Sequence, residues 1–111
     1  SIAAPPNPLN KPTAEQQLLT SFQSLSNSYA PNLIQTAQQD KLANSLRLTL
    51  GDEWYGLASD QQDKLASELL TKTQPLKVRS LQLLDKQGNL LARNPIVGNE
   101  MIVLLRQWAG E

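Results

Sequence analysis

A six-residue string occurs twice in this chain, and that repeat constrains the fold more than any other feature. Gln38–Ala43 and Gln61–Ala66 both read Gln-Gln-Asp-Lys-Leu-Ala, with Leu46 matched by Leu69 and Ile34 by Leu57. Leucines four residues apart fall on one face of an α-helix. Each copy therefore predicts a helix, one from Asn32 to Leu50 and one from Ser59 to Thr73. Joined through Gly51 to Ser59, the two predict a helical hairpin. Two copies are too few for a solenoid. Aspartate and lysine adjacent in sequence do not meet on a helix, so the repeated polar half reads as a duplicated solvent face rather than two recognition faces.

An earlier helix is expected from Thr13. Thr13-Ala14-Glu15-Gln16 has the form of a capping box, in which hydroxyl and amide satisfy each other's backbone N–H. Leu18, Phe22, Leu25 and Tyr29 follow at spacings of four, three and four, a stripe that reads as core before it reads as a partner groove. Pro31 ends this helix, and Pro75 ends the one after Ser59.

Beyond Pro75 the period shortens to two. Val78–Asp85 and Leu90–Arg93 read as strands around Lys86-Gln87-Gly88, a three-residue hairpin loop with Gly88 in the left-handed position. Pairing Asp85 with Asn89 sets Leu84 opposite Leu90 on one face and Leu83 opposite Leu91 on the other. Pro95 demands an edge or a bulge, and Gly98-Asn99 suits a turn. Met101–Leu105 then reads as a third, buried strand. A helix is the alternative, since Met101, Leu104, Leu105 and Trp108 share a helical face, but Ile102-Val103 favours the strand.

The expected fold is α+β: three N-terminal helices packed on a C-terminal three-stranded antiparallel sheet, over residues 13–109. At 111 residues the chain supports one core, burying roughly two thirds of its unfolded surface. Residues 1–12, with Pro5, Pro6, Pro8 and Pro12, read as an extended linker. A start at Ser1, a leash of this kind and the lack of cysteine lean toward an exported protein or the soluble part of a tethered one.

Composition excludes much chemistry. Cysteine and histidine are both absent, which removes thiolate chemistry, the commonest general base and the commonest metal ligand. No glycine-rich phosphate loop occurs. Asp52 and Glu53 do not fill the oxygen shell of a hard cation. No catalytic residue, metal site or cofactor is expected. Ten basic and ten acidic residues cancel, so the electrostatic footprint of a nucleic-acid binder is missing. No apolar run reaches the roughly 20 residues of a membrane-spanning helix, and no membrane insertion is expected.

What remains is binding. Helices can cover one apolar face of the expected sheet, leaving Leu84 and Leu90 for a partner. The expected function is thus a non-catalytic protein-interaction or assembly module. It would use an apolar sheet face or an open sheet edge, with a protein or a second copy as partner. The alternative is a sensory domain holding a small ligand between helices and sheet near Trp54, Tyr55 and Arg93. Trp54 and Tyr55, set between Gly51 and Gly56, could form a stacking platform, though burial of Trp54 is the plainer reading.

Overall fold

In the computed structural model, which describes residues 13–108, the first copy of the repeated string is not helical. Asn32–Leu50, expected as a helix, is a β-hairpin: strand β1 (Ile34–Asp40), a turn at 41–44, and strand β2 (Ser45–Leu50). The reason lies in Leu46, Leu48 and Leu50. Leu46 and Leu50 fit a helical spacing with Leu42, but with Leu48 they also alternate with Arg47 and Thr49, and all three are fully buried on one face of β2. Leu42 settles the choice, since it stands fully exposed at the turn. That turn closes because the Asp40 carboxylate accepts the Ala43 N–H at 3.1 Å and Asn44 takes φ 54°, a left-handed conformation that asparagine tolerates.

The second copy is helical. Helix α1 (Ala14–Ser26) precedes the hairpin, and helix α2 (Ser59–Thr73) follows it after a 3-10 turn at Asp52–Gly56. Strands β3 (Ser80–Leu84), β4 (Leu90–Arg93) and β5 (Ile102–Val103) complete one sheet of order β1-β2-β3-β4-β5. Every pair is antiparallel except β2–β3, which is parallel, with α2 as the crossover that a parallel pair requires. The expected three helices on a three-stranded antiparallel sheet are therefore corrected to two helices on a five-stranded mixed sheet. The α+β class stands. The proline-rich residues 1–12 lie outside the described residues.

Local chemistry explains both helix starts. Thr13 and Gln16 form the capping box, with Thr13 N–H donating to Gln16 Oε1 at 2.8 Å and Gln16 N–H to Thr13 Oγ1 at 3.1 Å. Helix α1 ends at Ser26, before Pro31, and the chain turns through Asn32 at φ 59°. Ser59-Asp60-Gln61-Gln62 also has the form of a capping box, but at α2 the cap sits one residue earlier. Ala58 is the N-cap; it has no side-chain acceptor, so only the reciprocal bond from Ala58 N–H to Gln61 Oε1, 3.0 Å, is made. Gln62 is thereby freed from capping and turns inward.

Phe22 of α1, Leu65, Ala66 and Leu69 of α2, and Leu46, Leu48, Leu50, Leu81, Leu83 and Leu91 of the sheet make one core. The α1 stripe is thus core, as its spacing indicates. Tyr29 ties the helices together, donating to Glu68 at 2.6 Å. Burial, the bond to Glu68 and that carboxylate's charge push the Tyr29 hydroxyl up to about 12.

Asp85 N–H donates to the Asn89 carbonyl at 2.9 Å, and Leu84 lies opposite Leu90. A bulge at Leu91 then shifts the register, so Leu83 faces Ala92 and Gln82 faces Arg93. Leu91 still reaches the core, because a bulge lets two residues oppose one. Gly88 has φ +88°, and a Cβ there would meet nothing within 4 Å. Gly88→Val should accordingly lose about 1–2 kcal/mol through backbone strain alone. Its thermal midpoint should fall by several degrees, and a midpoint equal to the parent's would contradict this geometry.

Candidate functional site

Cross-strand partners share a sheet face, so the registers define what the helices leave uncovered. One row runs Gln38, Arg47, Gln82, Arg93 and Ile102 across all five strands. The next runs Thr36, Thr49, Leu84 and Leu90. The opposite faces of β2 and β3 hold the buried leucines, and both helices pack there. On the uncovered face Leu84 and Leu90 are only half-buried, and Arg47 is exposed.

Arg47 and Arg93 flank Gln82 at two strand spacings, about 10 Å apart by ordinary sheet geometry. Among the described residues the ion pairs are Lys86–Asp52 and Arg106–Asp63, so neither arginine of this face has an acidic partner. Arg93 donates to the neighbouring Asn94 carbonyl at 3.2 Å. A groove of about 320 Å³ opens here, with Ser80, Gln82 and Arg93 on one side and Pro95 and Ile96 on the other. The row of Leu84 and Leu90 is apolar at β3 and β4, and the row of Arg47, Gln82 and Arg93 is cationic and polar.

Trp54 and Tyr55 belong elsewhere. Trp54 is buried in the core and donates through Nε1–H to the Leu105 carbonyl at 2.9 Å. Gln62 Nε2 donates to the Trp54 and Arg106 carbonyls at 2.9 and 3.0 Å. Arg106 bonds Gln62 Oε1 and pairs with Asp63 at 2.8 Å. The segment after β5 is thus laced to the start of α2. Tyr55 is half-buried; its ring meets Trp108 edge-on at 5.7 Å, and its hydroxyl donates to Asp85 at 2.7 Å.

Asp85 is fully buried and accepts three further bonds, from Gln87 N–H, Asn89 N–H and the Asn89 side chain. Burial alone would raise its carboxyl, but the bonds from Asn89, Tyr55 and the turn backbone outweigh it and hold the group below its usual range. Burial first, then the bond to Asp85 and the charges of Asp85 and Asp52, push the Tyr55 hydroxyl well above its ordinary value. The knot joins the 52–56 turn to the β3–β4 hairpin. None of its buried side-chain polar atoms lacks a hydrogen-bond partner, which suits structure better than chemistry.

Of the residues singled out from sequence, Leu84, Leu90 and Arg93 thus share one surface, while Trp54 and Tyr55 hold the fold together away from it. Arg47 and Gln82 were not singled out. Arg47 follows once β2 is read by its period of two, which places it beside Arg93. Among the described residues no group of three or more acidic side chains converges on a metal-sized site. Larger hollows among the described residues include open grooves of about 460 Å³ beside Asp63 and Glu100, about 560 Å³ between α1 and α2, and about 370 Å³ beside Val97, Asn99 and Ile102. Comparison with protein families, curated proteins and solved structures returned no match.

Proposed function

We propose that this domain is a non-catalytic protein-interaction module whose partner, another protein or a second copy, seats on the uncovered face of the sheet. The pairing of Leu84 with Leu90 on that face, half-buried beside Arg47 and Arg93, carries the reading. Burying a leucine fully contributes about 1.5–3 kcal/mol, so covering this pair gives a partner a substantial apolar anchor. Arginine is enriched at binding hot spots, and two such side chains without acidic partners supply the polar border. A small-ligand sensor is less well supported, because the hollows are open grooves rather than an enclosing cavity with converging polar groups.

Two double variants test the reading. Leu83 and Leu91 are fully buried, and each large-to-small change in a core costs about 2–5 kcal/mol. L83S/L91S should therefore unfold a domain whose total stability is of the order of 5–15 kcal/mol. L84S/L90S should remain folded and lose association, seen as a fall in molecular mass by light scattering or as loss of a captured partner. An L84S/L90S protein that keeps the parent's mass and partners would refute the proposal.

A further inference from the structure

The strand directions gather three loops at one end of the sheet: the β1–β2 turn at 41–44, the α2–β3 connection at 74–79, and the β4–β5 loop at 94–101. Two asparagines rivet them together. Asn44 Nδ2 donates to the Lys77 carbonyl at 3.1 Å, and Arg79 N–H donates to the Asn44 carbonyl at 2.7 Å. Asn94 Nδ2 donates to the Arg79 carbonyl at 3.0 Å, while its Oδ1 accepts Leu81 N–H at 3.0 Å. The three loops are thus tied together at their bases, below the tips.

Those tips carry aliphatic side chains into solvent. Leu42 is 102% exposed, Ile96 91% and Val97 87%, with Leu76 at 37% between them. Lys41, Lys77 and Arg79 stand among them, all exposed. The nearest acids are Asp40, whose carboxylate closes its own turn, and Glu100, which also lines the groove beside α2. The opposite end of the sheet carries Asp52, Glu53, Asp60 and Asp63, where Lys86 and Arg106 are already paired. A chain with no net charge thus places three basic and two acidic side chains at its aliphatic end, and four exposed acids with Lys64, Lys86 and Arg106 at the other.

We propose that this three-loop end docks on an anionic lipid surface, with Leu42, Ile96 and Val97 entering the interface and Lys41, Lys77 and Arg79 meeting the headgroups. Charge and composition favour lipid over protein. Protein interfaces are depleted in lysine, which supplies two of the three basic side chains here. Separate aliphatic tips beside lysines instead match the two attractions of interfacial binding, apolar burial and attraction to anionic headgroups. Such docking is shallow, and is compatible with there being no helix among the described residues long and apolar enough to cross a membrane. It uses the end of the sheet rather than the Leu84–Leu90 pair; Ile96 and Arg79 also line the groove beside Gln82 and Arg93, so the vesicle arm with L84S/L90S separates the two proposals.

Flotation of the full chain with phosphatidylcholine vesicles, with and without phosphatidylserine, tests the proposal. Binding should require phosphatidylserine and weaken as salt rises. Replacing Lys41, Lys77 and Arg79 together by Gln should lower the partition about a hundredfold. L42S/I96S/V97S, all at exposed positions, should keep the parent's circular dichroism and thermal midpoint yet release the vesicles. L84S/L90S should bind vesicles like the parent. Binding to neither vesicle, equal binding to both, or undiminished binding by the folded L42S/I96S/V97S protein would overturn the proposal. So would capture of a protein through these same residues without vesicle binding.

Discussion

Trp54→Ala should destabilise the domain by about 3–5 kcal/mol, the range for emptying a buried aromatic site. Trp54 is fully buried and is the largest side chain in the core. Its removal has a second consequence. The indole N–H is bonded to the Leu105 carbonyl, and the Trp54 carbonyl accepts from Gln62, which also holds Arg106. Trp54→Phe keeps much of the ring but leaves the Leu105 carbonyl without this donor, and should cost about 1–3 kcal/mol. Urea unfolding followed by far-UV circular dichroism measures both. A Trp54→Ala loss near zero would mean that Trp54 lies in solvent, and a Phe variant as damaged as the Ala variant would mean that the N–H matters more than the ring.

How much of this was legible in the sequence depends on which period a stretch could hide. The α1 capping box, the left-handed Gly88 and the Leu84–Leu90 pairing were all readable, because each rests on local chemistry or on the geometry of a short turn. Asn32–Leu50 was not. Leucines at 42, 46 and 50 satisfy the helix and those at 46, 48 and 50 satisfy the strand. Tertiary context decides between them, since β2 is an interior strand between β1 and β3 and buries all three of its leucines. Identical hexapeptides thus take two conformations: Leu42 is solvent-exposed at a turn, and Leu65 is buried in a helix.

The same ambiguity hid much of the candidate surface. With Arg47 placed on a helix, nothing set it beside Gln82 and Arg93, and the cationic side of the uncovered face had no sequence signature. The three-loop end was equally hidden, since it depends on the β1–β2 turn and on the parallel β2–β3 pairing. Gln62 and Asp85 were read locally, as a cap and a turn residue. A one-residue shift of the α2 cap buries the first, and the position of Tyr55 makes the second a link between distant segments.

Asp85→Ala should cost on the order of 3 kcal/mol, because bonds to a charged acceptor are worth about 1.5–3 kcal/mol each and their donors are left unsatisfied. Four donors converge on this one carboxylate, from Tyr55, Gln87 and both nitrogens of Asn89. Asp85→Asn keeps the size but replaces one accepting oxygen by a donating amide that faces donors. It should lose less than the Ala variant, and it removes the titration. The carboxyl is held below its unfolded value of about 3.9. Its stabilising contribution is therefore present above about pH 4 and fades as pH falls through the lower folded value. Tyr55 acts in the opposite range: its raised hydroxyl stabilises the fold below about pH 10 and loses that effect as pH rises further. Urea midpoints recorded from neutral pH into acid should thus fall more steeply for the parent than for Asp85→Asn. Tyr55→Phe should shallow the alkaline limb. Parallel acid limbs for parent and Asp85→Asn would show that Asp85 titrates alike folded and unfolded, and that the knot joining the 52–56 turn to the hairpin is not held by its charge.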